Sequence, residues 1–185
     1  MGMIGIVLGG SAVLLIWIYN SLISKKNEVK NSQGGLDASL KQRYDLIPGL
    51  VAATKEFMTH ERSVLTQITE LRNQALQPGL SHEKKQEINQ SLSAGLGKIL
   101  VSMESYPDLK SNTNMLQLQK SLHECEENIA ASRRFYNTSV TNYNNALEMF
   151  PTSIFANMMG LEQRPFFEIP EAERANLSVK ELFNK

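Results

Sequence analysis

Residues 115–150 read MLQLQKSLHECEENIAASRRFYNTSVTNYNNALEMF, and their spacing is typical of one long amphipathic helix. Apolar or small residues recur in steps of three and four, which places them on one face of a helix. Ser111 or Asn112 can cap its start, and Pro151 follows its end. The stripe consists of Met115, Leu118, Leu122, Cys125, Ile129, Ser132, Tyr136, Val140, Tyr143, Leu147 and Phe150.

Two further stripes precede this helix. The first runs over 36–75 and predicts one helix that ends at the Gln-Pro-Gly sequence 77–79. The second starts at Ser81, a good N-cap, and closes at the Tyr-Pro-Asp sequence 106–108. Short connections between long helices make neighbouring helices antiparallel. The sequence therefore predicts an all-α fold, in which 36–150 forms an elongated antiparallel bundle of long helices.

The segment RYDLIPGL, residues 43–50, interrupts the first stripe with a proline. In one interpretation a continuous helix kinks at Pro48, and the freed carbonyl of Tyr44 needs another partner. In the other, Asp45 caps a new helix and Pro48 lies in its first turn. The stripe keeps its phase across the proline, which favours the kink. Arg43 and Asp45 are then candidates to bridge to opposing helices.

The first 24 residues predict a transmembrane helix. No charged residue precedes Lys25, and the apolar run 3–23 is about 21 residues long, or roughly 31 Å as a helix. A cleaved signal peptide fits less well, because a positive segment before the run and a small-residue cleavage site after it are both missing. Gly5 and Gly9 form a small-xxx-small pair that suits close helix packing in a membrane.

Basic residues follow the apolar run at once. Lys25, Lys26 and Lys30 predict a single-pass protein with a short N-terminus outside and most of the chain in the cytoplasm. Gly34 and Gly35 are either a hinge or a softened point in one continuous helix. We expect a transmembrane anchor at 1–24, a polar juxtamembrane segment or hinge at 25–35, a helical bundle domain at 36–150, and a short helix with a C-terminal tail at 151–185. The tail either lies along the bundle or stays free until a partner binds.

Composition narrows the function classes. The 185 residues include 19 basic and 19 acidic side chains, and this balance argues against a nucleic-acid-binding protein. Cys125 is the single cysteine, which excludes an internal disulfide and a cysteine-based zinc site. His60 and Glu61 begin an HExxH pattern, but residue 64 is valine. With no GxSxG, P-loop or GxGxxG motif either, we predict no catalytic, cofactor or metal site.

Four motifs in order resemble those of the LemA family. Residues 43–51, RYDLIPGLV, resemble the family's RYDLIPNLV, and residues 106–112, YPDLKSN, resemble its YPDLKAN turn. Residues 127–144 are similar to the family's ENRIAxARxxYNxxVxxYN helix, and residues 150–154, FPTSI, to its FPSNI. The resemblance covers nearly the whole chain.

The resemblance implies a bacterial inner-membrane protein with a short outer N-terminus and a long helical cytoplasmic domain. Some relatives take part in building membrane organelles, and others are encoded beside a membrane zinc metalloprotease. This chain departs from the pattern at Gly34 and Gly35, where relatives often have Ala-Trp, and at Gly49, where Asn is usual. The first departure removes a large side chain near the membrane, so we expect a looser hinge.

These features favour a non-catalytic, membrane-anchored scaffold or adaptor that presents long helical surfaces to copies of itself or to protein partners. The alternatives are a membrane-organising or membrane-shaping oligomer and an accessory factor of a membrane protease. Expected partners are membrane lipid, further copies in a homo-oligomer and a membrane protein such as a metalloprotease, with no nucleic acid and no cofactor. The candidate interaction residues are Arg43, Tyr44, Asp45, Pro48, Tyr106, Pro107, Asp108, Asn128, Arg133, Tyr136, Asn137, Tyr143 and Asn144, with Gly5 and Gly9 for membrane helix packing.

Overall fold

The computed structural model describes residues 2–168, with side chains at all of them except positions 2–8, 11 and 110. This part of the chain is helical and contains no strand, which confirms the all-α class over the described range. Its helices are α1 (Gly2–Thr54), α2 (Arg62–Ala75), α3 (His82–Ser102), a 3-10 helix (Met103–Ser105), α4 (Pro107–Lys110), α5 (Thr113–Glu148) and α6 (Thr152–Met158). The predicted tail beyond residue 168 lies outside the described residues.

The chain divides into two compact units. Unit 1 combines Met1–Leu46 with Gln119–Phe166, and unit 2 combines Ile47–Leu118 with Phe167–Lys185. Unit 1 thus holds most of α1 and α5 together with α6, whereas unit 2 holds α2, α3 and α4. The predicted domain boundaries at residues 24, 35 and 150 stay predictions.

In unit 1, α1 and α5 pack against each other in opposite directions. Ser39 Oγ lies 3.0 Å from Ser132 Oγ, and Arg43 pairs with Glu126, so partner numbers fall along α5 as they rise along α1. Helices α2, α3 and α4 lie between α1 and α5 in the chain, so the rule for consecutive helices joined by short connections does not account for this direction. The buried apolar side chains of the pair include Ile18, Leu22, Val29, Leu36 and Leu40 on α1, and Leu122, Cys125, Ile129, Tyr136, Val140, Tyr143, Ala146 and Leu147 on α5.

The apolar stripe of α5 is buried along most of its length but not at its end. Asn112 caps the helix, because its Oδ1 accepts hydrogen bonds from the backbone N–H groups of Asn114 at 2.9 Å and Met115 at 3.3 Å. Phe150, predicted to be the last member of the stripe, is 82% exposed. That prediction is wrong because α5 ends at Glu148, so residue 150 no longer follows helical spacing.

In unit 2, α2 packs against α3. A Cβ atom added at Gly95 would lie 3.0 Å from Cγ1 of Ile68, so the glycine permits a close approach of the two helices. No neighbour lies within 4 Å of a Cβ at Gly97, which therefore has no such role. Ser81 caps α3 as predicted, since its Oγ accepts a hydrogen bond from the N–H of Lys84 at 3.2 Å.

The prediction of a single helix over 36–75 is wrong. Helix α1 ends at Thr54 and α2 begins at Arg62. The Thr54 hydroxyl donates to the carbonyl of Leu50 at 2.7 Å, and the Thr54 carbonyl accepts from the N–H of Met58 at 2.9 Å in a closing turn. Met58 lies outside any helix but is fully buried, so the apolar spacing reflected burial and not an unbroken helix.

Helix α1 is continuous through both of its predicted weak points. Gly34 and Gly35 are exposed inside it with open space around them, which agrees with the softened-point interpretation and not with a break. Pro48 also lies inside α1, so the interpretation in which Asp45 starts a new helix is wrong. Asp45 instead pairs with Lys41 of the preceding turn at 2.7 Å, and its predicted bridge to an opposing helix is not formed.

The predicted membrane anchor falls partly on residues that the structure does not describe. Met1 and the side chains at 2–8, including position 5 of the Gly5–Gly9 pair, lie outside the described residues. Gly9 is exposed, and a Cβ atom added there would meet no other part of the structure within 4 Å. Over the residues that are described, helical stretches do not combine the length and apolar character needed to cross a bilayer.

Candidate functional site

A polar layer crosses the apolar interface between α1 and α5 in unit 1. We term it the Arg43 layer; its members are Ser39, Arg43, Cys125, Glu126 and Ser132. The Arg43 side chain is buried, and its Nη1 donates to Glu126 Oε1 at 3.0 Å and to Oε2 at 3.4 Å. The Glu126 side chain keeps 43% of its surface exposed, so the ion pair reaches from the core to the water-exposed edge. A buried guanidinium is tolerated only when it is paired, so the layer favours one register of α1 against α5.

Cys125 contributes a thiol to the Arg43 layer. Its Sγ donates to the backbone carbonyl of Ser39 at 3.6 Å, beside the contact between the Ser39 and Ser132 hydroxyls. Burial raises the pKa of the Cys125 thiol above its ordinary value. A protonated, buried thiol is a poor nucleophile, so Cys125 acts as a small packing residue with a weak hydrogen bond.

A second cluster in unit 1 holds the segment after α6 against α5. We term it the tail clamp; it consists of Tyr136 and Asn144 on α5 with Arg164 and Pro165. The Tyr136 hydroxyl donates to the carbonyl of Pro165 at 3.0 Å. The Asn144 amide donates to the carbonyl of Arg164 and accepts from its N–H, both at 2.9 Å. Burial raises the pKa of Tyr136, which keeps the hydroxyl a donor. Arg164 and Pro165 of the predicted tail therefore lie along α5, which agrees with a tail that lies along the bundle and not with one that stays free.

In unit 2, Tyr106 connects the end of α3 to the link before α2. Its hydroxyl donates to Glu61 Oε2 at 2.9 Å, and this hydrogen bond to a carboxylate raises the pKa of Tyr106. Pro107 occupies the first turn of α4, where a missing N–H has little effect, and Asp108 is exposed beside it. The motif therefore starts a short helix in addition to closing α3, which the sequence interpretation did not anticipate.

Unit 2 also contains an open groove of about 620 Å³ between the end of α1 and α2. Threonines and charged side chains of both signs dominate its lining. The Thr66 and Thr69 hydroxyls donate to carbonyls of their own helix, at 2.9 Å each, so they are engaged in backbone hydrogen bonds. Within the described part of the chain, no group of three or more His, Cys, Asp or Glu side chains is placed to hold a metal ion. The lining residues are Val51, Lys55, Glu56, Thr59, Arg62, Leu65, Thr66, Thr69 and Glu70.

The remaining candidates are spread along α1 and α5. Tyr44 and Tyr143 are buried, Asn137 is half-buried and Asn128 is exposed. Arg133 is only 8% exposed although its side chain is charged. The reason is geometric, because Arg133 follows a stripe residue and its long stem can pack on the core side.

Sequence reasoning missed the partners of the candidate residues. Ser39, Arg164 and Pro165 carry no spacing signal that distinguishes them from surface or loop residues, whereas Glu61 falls in step with the apolar stripe of 36–75. Glu126 carried a weak signal, since it adjoins Cys125 on the apolar stripe and is the nearest acidic residue to the core.

Comparison with known proteins identifies a family and several relatives. A model of the LemA family matches residues 32–180. The chain is 26% identical over 165 residues to Protein LemA of Metamycoplasma hominis, which covers 89% of this chain and 75% of the relative. It is 19% identical over 196 residues to Magnetosome protein MamQ of Magnetospirillum gryphiswaldense, with 92% and 72% covered, and equally to Magnetosome protein MamQ 1 of Paramagnetospirillum magneticum. The family match extends over most of the chain and includes the Arg43 layer, Tyr106 and the tail clamp, so the chain belongs to the LemA family.

Proposed function

We propose that the chain is a non-catalytic, membrane-anchored scaffold or adaptor, whose helices assemble with copies of itself or with another membrane protein. The observation that carries this proposal is that side chains of the family motifs form hydrogen bonds within the protein. Arg43, Tyr106, Tyr136 and Asn144 all hydrogen bond to other segments of their own unit, and none of them lines the groove of unit 2. Side chains used in this way maintain the shape of a surface and do not convert a substrate.

The exposed apolar side chains of α1 support a membrane anchor. The consecutive residues 13–17 are all exposed, with Val13 at 68% and Trp17 at 65%. Successive helical residues are about 100° apart, so five of them surround the helix. A helix that is apolar on all sides suits lipid better than a single partner surface. Lys25 and Lys26 follow, and the positive-inside rule then places the rest of the chain on the cytoplasmic side.

The relatives support the non-enzymatic part of the proposal. Their names, Protein LemA and Magnetosome protein MamQ, are not names of enzymes. The second name associates that relative with an organelle, the magnetosome, which agrees with a role in assembly.

Protease access tests the anchor and its orientation. A reporter domain fused after Lys185 is expected to resist added protease in intact spheroplasts and to be digested after permeabilisation. Digestion of the reporter in intact spheroplasts contradicts the proposed orientation, and release of the protein from membranes by alkaline carbonate contradicts the anchor.

Photo-crosslinking in native membranes tests the scaffold. A photoreactive residue at Phe135, which is 58% exposed on α5, is expected to give a defined adduct with a second copy or with one membrane protein. The matched control is Val140 on the same helix, which is fully buried and should give only products within the chain. Equal absence of adducts at both positions, with the protein intact in the membrane, contradicts a scaffold that uses this face.

A membrane-organising oligomer is the second candidate, favoured by the basic residues that follow the apolar run. Lys26 and Lys30 are exposed, and each basic residue near an anionic surface adds about 1 kcal/mol of attraction. Imaging of anionic vesicles with the purified full-length chain separates the candidates, because only the organising oligomer is expected to cluster or deform them.

A further inference from the structure

Unit 1 exposes four large apolar side chains where α5 meets α6. Met149 is 64% exposed, Phe150 82%, Ile154 51% and Met158 79%. We term these four residues the α6 patch. The surrounding segment 149–161 contains no charged residue, and Ile154 and Met158 share one face of α6. Single exposed apolar residues are common on proteins, but such a concentration on one short segment marks a contact surface.

The antiparallel register locates this corner along α1. Arg43 lies opposite Glu126 and Ser39 opposite Ser132. Both helices rise 1.5 Å per residue, so Glu148 at the end of α5 lies at the level of about residue 22 of α1. Helix α6 begins four residues after the end of α5, so we place it alongside Leu22 of α1 and the residues that precede Leu22.

Burial along α1 agrees with this level. Leu22 is 0% exposed and Ile18 1%, so both side chains are covered by other parts of the protein. Residues 12–17 immediately before them are all exposed. Burial of the α1 side chains therefore ends near Ile18, close to the level at which α5 and α6 end.

The same level is the boundary of the proposed anchor. On one side lie the exposed apolar residues 13–17, and on the other lie Lys25 and Lys26. Trp17 and Tyr19 are exposed at this boundary, and such amphipathic aromatic rings prefer the headgroup region. If the anchor lies in a bilayer as proposed, a patch on α6 at this height lies close to the headgroups.

We propose that the α6 patch is a second membrane contact, which inserts shallowly at the boundary between headgroups and acyl chains of the bilayer that holds α1. The occupant is lipid, because the patch is uncharged, contains aromatic and methionine side chains, and lies at the height of the headgroups. This inference rests on the proposed anchor. Its consequence is that unit 1 is held at two points, so α5 has a fixed orientation on the membrane that one helix alone would not impose.

The experiment measures lipid contact at both points in the same full-length protein. Cys125→Ala removes the only cysteine, and Met158→Cys or Ile154→Cys then accepts a single environment-sensitive fluorophore. The matched control is Glu127→Cys, an exposed position on α5 far from the predicted membrane level. Each variant is reconstituted into phosphatidylcholine and phosphatidylglycerol vesicles at a low protein-to-lipid ratio, with or without lipids that carry a quencher near the glycerol. Trp17, the single tryptophan, reports independently on the anchor.

The expected result is quenching of Trp17 and an about twofold loss of label emission at positions 154 and 158, with little loss at 127. Quenching of Trp17 without quenching at 154 and 158 overturns the second contact but leaves the anchor intact. A blue-shifted label that lipid quenchers do not reach also overturns it, because a second copy or another surface then covers the patch. Failure to quench Trp17 itself overturns the anchor and, with it, this inference. Circular dichroism of each variant establishes that the fold is retained.

Discussion

At the scale of single residues, burial of the Arg43 charge has an electrostatic cost in unit 1. Its guanidinium is buried, and Glu126, with which it forms an ion pair, lies at the half-exposed edge of the layer. A shift in the register of α1 against α5 would separate the buried guanidinium from the Glu126 carboxylate, and a buried charge without this partner would be costly. The pair therefore contributes more to the choice of one packing arrangement than to overall stability.

Glu126→Gln should lower the free energy of unfolding by about 1–3 kcal/mol, because the amide keeps an acceptor but no longer neutralises the buried guanidinium. Glu124→Gln is the matched control: its carboxylate lies on the same helix and makes only an exposed contact of 3.8 Å with Lys120. Chemical denaturation in mild detergent compares the two. Equal effects of the two substitutions would contradict the importance of the layer.

Cys125 should react slowly with iodoacetamide in the folded protein. Burial raises its thiol pKa, so at pH 8 the folded state holds less thiolate than the unfolded chain and shields it from reagent. Alkylation rates in buffer and in denaturant are the measurement, with acceleration expected on unfolding. A native rate equal to the unfolded rate would show an accessible thiol and contradict its place in the core.

At the scale of helices, the two glycines of α3 give opposite expectations. Gly97→Ala should stabilise the protein by about 0.5–1 kcal/mol, because the site is open and alanine is the better helix former. Gly95→Ala should destabilise it by about 1 kcal/mol, because the new methyl group would lie 3.0 Å from Ile68 and force repacking. Thermal unfolding of the two variants decides the matter, and a Gly95→Ala variant as stable as Gly97→Ala would contradict the close contact.

Pro48→Ala should keep or raise the melting temperature, because it restores a backbone donor inside α1 and removes a ring from the helix. We expect the substitution to affect assembly more than folding, since the exposed proline shapes the helix that carries Arg43 and Tyr44. Differential scanning calorimetry measures the melting temperature, and native mass spectrometry measures the mass of the assembly. A large fall in melting temperature with unchanged assembly would speak against this role.

Spacing along the sequence predicted α5, its cap and the start of α3, because buried residues and capping side chains follow fixed helical intervals. It did not predict the link between Thr54 and Arg62, because that link contains no glycine or proline and keeps Met58 in phase with the stripe. The candidate residues came mainly from family motifs. Their partners were not predictable, because periodicity identifies a buried face but not the opposing side chain, as Tyr136 and Pro165 illustrate.

At the scale of the whole molecule, the chain combines balanced charge with an apolar N-terminal segment. The 19 basic and 19 acidic residues balance, so we expect association to depend on specific surfaces and not on net charge. The exposed apolar residues of α1 and the α6 patch supply lipid contact in this account. We propose that other exposed side chains, such as Phe135 on α5, contact protein partners.

The mass of the full-length protein in mild detergent tests the scaffold most directly. Light scattering combined with absorbance and refractive index gives the protein mass without the bound detergent. The account predicts a defined multiple of the 20.8 kDa chain, or a stoichiometric complex with one co-purifying membrane protein. A uniform 20.8 kDa monomer with no co-purifying protein, across detergents that keep the helices folded, would contradict it.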